Sequence, residues 1–158
     1  MPARREPTVR GLTVKQPWAW LIAHGWKPFE NRNWWTDYRG PLVIVAGKGT
    51  DPEGYEVARQ LGIELPDELP TGIVCVVDLV SIEPVSDVGA DPFATGPFCW
   101  RLARPRRLAS PVPYRGNVGL LRVPRSLLQD GLAEEDVPRG VASTQATLAF
   151  DRPEPDQL

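Results

Sequence analysis

The amino-acid sequence predicts an α+β fold in which several short strands form a small mixed barrel with two or three helices beside it. Apolar runs of strand length recur along the chain, glycine and proline separate them, and few segments carry helix signals. A parallel, doubly wound sheet would require a regular alternation of strands and amphipathic helices. The observed pattern favours the mixed barrel.

The length of 158 residues is typical of one domain that buries its own core. Residues 1–8 and 151–158 are rich in proline and charge, and we expect both to be flexible tails. The predicted folded unit is a single domain over residues 9–150.

The first half of the chain predicts two strands and two helices. Residues 11–14 form the first strand, and Gln16 and Pro17 then begin a helix that Gly25 ends. A second strand covers residues 41–46. Thr50 and Glu53 have the spacing of a capping box, which predicts a helix from there to about residue 61.

The second half predicts three strands and a short helix. Residues 71–82 are rich in β-branched side chains but long for one strand, so a bend is expected near Asp78. Residues 98–103 and 117–123 form two more strands, joined by a connection over residues 104–116 that is rich in proline and arginine. Residues 124–129 predict a short helix.

The net charge and the few histidine and cysteine residues limit the classes of function that this protein can have. A net charge of −2 and a pI near 5.5 disfavour a protein that coats duplex DNA, so any contact with nucleic acid must be local. His24 is the single histidine, and of the two cysteines Cys75 lies in an apolar run where burial is expected. We therefore expect no disulfide framework, no metal and no cofactor.

Residues 1–10 lack the apolar core of a signal peptide, and no apolar run approaches the roughly 18 residues of a membrane span. The sequence predicts a cytoplasmic protein without a membrane partner. Oligomeric state is left open. The arginines of residues 101–125 form either a solvated basic face or part of a ligand surface.

Five of the six tryptophans lie between Trp18 and Trp35, among lysines, arginines and amides. Aromatic planes beside cations are suited to stacking a base and neutralising a phosphate, which predicts a pocket for RNA or a nucleotide. Packing is the alternative for Trp18, which shares a helix face with apolar residues. Trp34 and Trp35 are adjacent in an extended loop, so we expect one buried and one exposed.

Several motifs in this order and spacing resemble the ASCH domain, a family of the PUA-like superfamily. They are Lys15-Gln16-Pro17-Trp18-Ala19, Gly25-Trp26-Lys27, Glu30-Asn31-Arg32, Tyr38-Arg39-Gly40-Pro41, Ala46-Gly47-Lys48, Gly96-Pro97-Phe98-Cys99-Trp100 and Val112-Pro113-Tyr114-Arg115-Gly116. The resemblance covers about residues 10–125. It implies a mixed β pseudo-barrel with helices packed on its outside, and a cleft between barrel and first helix lined by residues 27–32.

Members of this family are associated with RNA, and some relatives hydrolyse acetylated cytidine or cleave RNA. The residues expected to bind nucleic acid here are Lys15, Gln16, Trp18, Lys27, Asn31, Arg32, Trp34, Tyr38, Arg39, Lys48, Trp100 and Arg115. For an enzyme, the expected catalytic residues are Lys27, Lys48 and Glu30. In the amidohydrolase branch a threonine occupies the position of Glu30.

Three functions follow from these features. The first is binding of single-stranded RNA, or of a modified nucleotide within it. The second is a metal-independent hydrolase on the same cleft, with Lys27 and Lys48 brought together so that like-charge repulsion lowers a lysine pKa. Glu30 would there be an acid/base partner or form a structural ion pair with Arg32. The third is a protein-interaction domain of the coactivator type.

Overall fold

A computed structural model describes residues 5–142, so the predicted tail 151–158 and residues 1–4 lie outside the described residues. Six strands and three helices follow one another along the chain. They are β1 (Thr8–Gln16), α1 (Trp18–Ala23), β2 (Phe29–Arg32), β3 (Gly40–Thr50), α2 (Pro52–Gln60), β4 (Gly72–Pro84), β5 (Phe98–Val112), β6 (Leu120–Pro124) and α3 (Ser126–Gln129).

The strands form one mixed sheet in the order β2-β5-β4-β3-β1-β6. The pair β1 and β3 is parallel, and the other neighbouring pairs are antiparallel. This arrangement confirms the predicted α+β class and the mixed sheet. No backbone ladder joins the outer strands β2 and β6 within residues 5–142, so the sheet is not a closed barrel.

A side chain nevertheless connects two distant strands of this sheet. The Nη2 atom of Arg32 on β2 donates to the carbonyl oxygen of Thr13 on β1 over 2.7 Å. These are the first and fifth strands in the order, which would be roughly 19 Å apart in a flat sheet with the usual spacing. The sheet is therefore strongly curled, and Arg32 spans the gap between its approaching ends.

Both faces of the sheet are covered, which explains the continuous apolar run in β3. Leu42 and Ile44 pack in the cluster under α1, whereas Val43 and Val45 pack in the cluster under α3. Successive side chains of a strand face opposite sides, so a strand buried on both sides is apolar at every position.

The second helix begins differently from the prediction. The side chain of Asp51 accepts a hydrogen bond from the backbone N–H of Glu53 and is the N-cap of α2. The predicted capping box from Thr50 is therefore wrong by one residue, because Thr50 still belongs to β3. Pro52 occupies the first turn as predicted, and α2 packs closely on α1, where a side chain on Gly54 would collide with Pro17.

The predicted connection over residues 104–116 is wrong in its first part, because β5 continues to Val112. β2 pairs only with residues 98–101 of β5, so beyond them β5 has no strand partner on that side within residues 5–142, although the N–H of Ala109 still donates to the carbonyl of Gly131. An edge tolerates the missing N–H of Pro105 and Pro111. The bend expected in β4 is confirmed by a shift of register between Val76 and Asp78.

Candidate functional site

A pocket of about 400 Å³ opens between α1, β2 and the start of α2. The residues predicted from sequence that line it share a polar or aromatic side chain and come from three consecutive elements. They are Lys15, Trp18, Lys27, Glu30, Asn31 and Arg32. We call this cavity the Lys27 pocket.

A buried ion triad forms part of the lining of this pocket. The ammonium of Lys27 lies 3.3 Å from one oxygen of Glu30, and a guanidinium nitrogen of Arg32 lies 2.9 Å from the other. Lys27 is only 4% exposed, and its ammonium also donates to the carbonyl of Phe29. The carboxylate is thus held between two cations, and its contact with Arg32 is the structural ion pair that the sequence left as one of two alternatives for Glu30.

Burial and the neighbouring charges shift the pKa values of this triad. Burial alone disfavours the charged carboxylate, but Lys27 and Arg32 outweigh that effect and hold the pKa of Glu30 below its usual range. Burial also lowers the pKa of Lys27, and the Glu30 carboxylate opposes that change. The largest cause that lowers the pKa of Lys27 is therefore burial, and not the expected repulsion by Lys48.

Trp18 and Phe93 form the aromatic wall of the pocket. Their rings meet edge to face with centroids 6.4 Å apart, and the Lys27 ammonium lies 5.1 Å from the Trp18 ring centre. The indole N–H of Trp18 donates to Asp51 over 2.8 Å. Because Asp51 also caps α2, the orientation of this indole is fixed by the helix.

Asn31 shapes the loop that carries Phe93. Its amide nitrogen donates to the carbonyl of Phe93, and its amide oxygen accepts from the backbone N–H groups of Thr95 and Gly96. The expected contact of Asn31 with a base edge is therefore replaced by contacts that hold the pocket wall.

Three predicted site residues are used inside the protein. Gln16 connects α1 to the loop before β4, since its side chain accepts from the N–H of Trp20 and donates to the carbonyl of Pro70. Trp34 and Trp100 pack edge to face in the main core with centroids 4.8 Å apart. Trp34 is 3% exposed and its neighbour Trp35 is 48% exposed, which confirms that one of the adjacent pair is buried.

The remaining predicted residues lie outside the lining of the Lys27 pocket. Tyr38 packs against the core and donates to the carbonyl of Pro41. The guanidinium of Arg39 lies over the ring of Trp35 at 5.4 Å. Lys48 and Arg115 are exposed. The structure therefore does not bring Lys48 into this pocket with Lys27, and the charged partner of Lys27 is Glu30.

Sequence reasoning missed several residues of the lining. Asp51, Glu53 and Val57 reach the pocket from α2, and Phe93 reaches it from the loop before β5. The sequence predicted a helix cap at Thr50, next to Asp51, but such a signal predicts only where a helix begins and says nothing of the pocket. The position of Phe93 depends on Asn31 and carries no local signal.

The lining has three basic and three acidic residues, namely Lys15, Lys27 and Arg32 against Glu30, Asp51 and Glu53. Four of these six are already engaged, since Lys27, Glu30 and Arg32 form the triad and Asp51 caps α2. Within residues 5–142 no ion pair joins the side chain of Lys15 or Glu53 to another residue. The interior of the pocket thus suits a neutral polar ring, and Lys15 suits an anionic group near it.

The chain is similar to one protein family and to two mammalian proteins. The family model described as ASCH domain matches residues 12–111. Activating signal cointegrator 1 of Homo sapiens is 30% identical over 122 residues, which cover 67% of this chain and 21% of that protein. The protein of the same name from Mus musculus shows the same identity and coverage. The match thus spans about a fifth of the length of these relatives.

Proposed function

This chain belongs to the ASCH domain family, and on that premise we propose that its Lys27 pocket binds a base of single-stranded RNA or a modified nucleotide within it. The single observation that carries this proposal is an indole held at the pocket wall by a carboxylate, beside a buried ion triad. The curled sheet and its outer helices support assignment to the PUA-like pseudo-barrel.

The proposed contacts follow from the chemistry of the lining. The wall formed by Trp18 and Phe93 offers an apolar face for a base, because stacking tolerates any flat ring. The triad offers guanidinium and ammonium donors and a carboxylate acceptor to the polar edge of that base. A phosphate would meet Lys15, whose side chain is exposed at the rim and packs against Gly49.

We expect Trp18→Ala to weaken RNA binding by roughly tenfold to a hundredfold, since loss of one base–aromatic stack costs about 1–3 kcal/mol. Fluorescence anisotropy of labelled single-stranded oligonucleotides measures this change. Trp35→Ala is the matched control, because Trp35 is an exposed tryptophan outside the pocket lining. Its affinity should stay within about twofold of the unaltered protein.

An equal loss of affinity in both variants would contradict the proposed pocket. Unchanged binding in Trp18→Ala would do the same. If the unaltered protein binds neither oligonucleotides nor nucleosides, the coactivator-type interaction domain becomes the better explanation of the fold.

A second function is favoured by Lys27 itself. Its ammonium is paired with Glu30, and burial lowers its pKa, so it gives up a proton more readily than an exposed lysine to become the amine that a general base requires. In hydrolysis of N4-acetylcytidine, that amine would take a proton from water as the water adds to the amide carbonyl. The carbon–nitrogen bond then breaks, acetate leaves, and the proton passes to the cytidine amino group. A ribonuclease reaction would use the same base.

This second function predicts turnover in the presence of EDTA that Lys27→Gln lowers by at least about a hundredfold, the usual contribution of a general base. Chromatography of N4-acetylcytidine and RNA digests measures it. Lys27→Gln leaves Glu30 paired with Arg32, so the fold should persist, and circular dichroism checks this. Absence of turnover in the unaltered protein excludes both reactions.

A further inference from the structure

A second groove lies on the other side of α1, between this helix and β5. Its volume is about 720 Å³. Its lining includes Trp20 of α1 and His24, the C-cap of that helix, together with Pro105, Arg107, Leu108 and Pro111 of β5. We call it the α1–β5 groove. None of its lining residues is acidic, in contrast to the Lys27 pocket.

Arg107 differs from the neighbouring arginines of β5. Arg101 is paired with Glu83, and both Arg104 and Arg106 are paired with Asp78. Among the described residues no hydrogen bond or ion pair involves the side chain of Arg107, although it is exposed and lines the groove. A guanidinium without a carboxylate partner is available to an anionic ligand.

A flat surface lies close to this charge. The rings of Trp20 and His24 are stacked with centroids 3.8 Å apart and planes 16° from parallel. The Nδ1 atom of His24 lies 2.9 Å from the carbonyl oxygen of Trp20, which fixes the imidazole over the helix. The charge of Arg107 acts on the same imidazole and contributes to lowering the pKa of His24, after the larger effect of burial.

The α1–β5 groove and the Lys27 pocket therefore share two features that suit a nucleotide. Each has an aromatic surface from α1, Trp18 in one and Trp20 in the other, and each has an exposed cation without a carboxylate partner, Lys15 in one and Arg107 in the other. Two positions along a helix differ by about 200° of rotation. The two indoles therefore leave α1 in different directions and line different cavities, although both also contact the apolar cluster around Leu21.

We propose that single-stranded RNA with one base in the Lys27 pocket crosses α1 and continues into the α1–β5 groove, where a phosphate contacts Arg107 and a base packs against the Trp20–His24 pair. This inference rests on the proposed function. A helix with its side chains is about 10–12 Å across. A mononucleotide in the pocket therefore ends short of the groove, and only a strand of several nucleotides reaches it.

An acidic peptide also carries negative charge, but the groove favours RNA. The lining of the groove contains one cation beside a stacked aromatic pair. This combination suits one phosphate and one base. A peptide of acidic residues would leave the aromatic pair without a flat partner. The groove therefore predicts discrimination between an oligonucleotide and polyglutamate of equal charge.

The experiment compares nucleoside monophosphates with hexanucleotides of uridylate, cytidylate and adenylate, and uses the full chain. His24 is the single histidine, so its imidazole proton signal in NMR reports on the groove without any substitution. We expect the hexanucleotide to raise the pKa of His24 as a phosphate approaches, and the monophosphate to leave it unchanged.

Arg107→Gln should weaken hexanucleotide binding roughly tenfold, the usual effect of losing one charge-assisted contact. The slope of log affinity against log salt should become smaller by about 0.7, the value for one phosphate of a single strand. Monophosphate binding should not change. Arg104→Gln is the matched control, because Arg104 is exposed on the same strand but paired with Asp78.

Each outcome separates this inference from the proposed function. A hexanucleotide that binds no better than its monophosphate and leaves His24 unchanged overturns the strand path while the pocket stands. Equal losses in the Arg107 and Arg104 variants, or equal binding of polyglutamate, also overturn it. If neither nucleotide nor strand binds, the proposed function fails first and the inference fails with it.

Discussion

Replacing Glu30 with alanine should lower the free energy of unfolding by about 3–5 kcal/mol, because it leaves two buried cations without their shared counter-charge. The side chains of Lys27, Glu30 and Arg32 are each at most 10% exposed. Little water reaches these side chains to replace the lost interaction. Since a domain of this kind is stable by only about 5–15 kcal/mol, the loss would be a large part of the total.

Urea unfolding followed by tryptophan fluorescence measures this change. The control is Glu83→Ala, which breaks the more exposed ion pair with Arg101 and should cost at most about 1 kcal/mol. Similar losses in the two variants would show that the triad does not stabilise the fold in the way its burial indicates.

The same carboxylate predicts how stability depends on pH. The pKa of Glu30 lies below its usual range in the folded protein. Its contribution is therefore complete above the unfolded pKa of about 4.3 and is lost as the pH falls through the lower folded value. Glu30→Gln should be less stable than the unaltered protein at neutral pH, and the difference should shrink as the solution is acidified below pH ~4.

Replacing Trp100 with alanine should also cost about 3–5 kcal/mol, in this case because it opens a cavity in the core. Trp100 is 0% exposed, and it packs edge to face on Trp34, to whose carbonyl its indole N–H donates over 3.4 Å. Neither the packing nor this contact can be recovered by a methyl group. Thermal and urea unfolding both measure the loss.

The exposed Trp26, which is 52% accessible, provides the matched control, and Trp26→Ala should change stability by less than about 0.5 kcal/mol. The Trp100 variant also separates packing from binding. Its affinity for RNA, corrected for the folded fraction, should match that of the unaltered protein. If the variant instead lost affinity while its stability stayed unchanged, Trp100 would be a ligand-binding residue, as the sequence predicted.

The tryptophan-rich segment shows what the sequence could and could not predict about the site. Its composition correctly identified Trp18, Lys27 and Arg32 as neighbours in one pocket. It could not distinguish these from Trp34, because an aromatic residue carries the same signal in a core as at a ligand. The three-dimensional packing separates them, because Trp34 is buried in the main core whereas Trp18 lines the pocket.

Lys48 and Arg107 show the same limit for charged residues. Lys48 was expected to bind nucleic acid and to act beside Lys27, yet it is exposed outside the pocket lining. Arg107 belonged to a basic stretch without any distinguishing feature. Whether an arginine is paired depends on carboxylates from other strands, such as Glu83 and Asp78 on β4.

By itself, the sequence determined the α+β class, the apolar strand at residues 41–46 that forms the middle of β3, and the family to which the chain belongs. These depend on side-chain periodicity and on motifs whose residues are close together in the sequence. The tertiary structure alone decided that the sheet stays open, that Glu30 is the partner of Lys27, and that Asn31 supports the loop of Phe93. Each of these is set by contacts between strands and loops far apart in sequence, and no local pattern specifies which distant groups will meet.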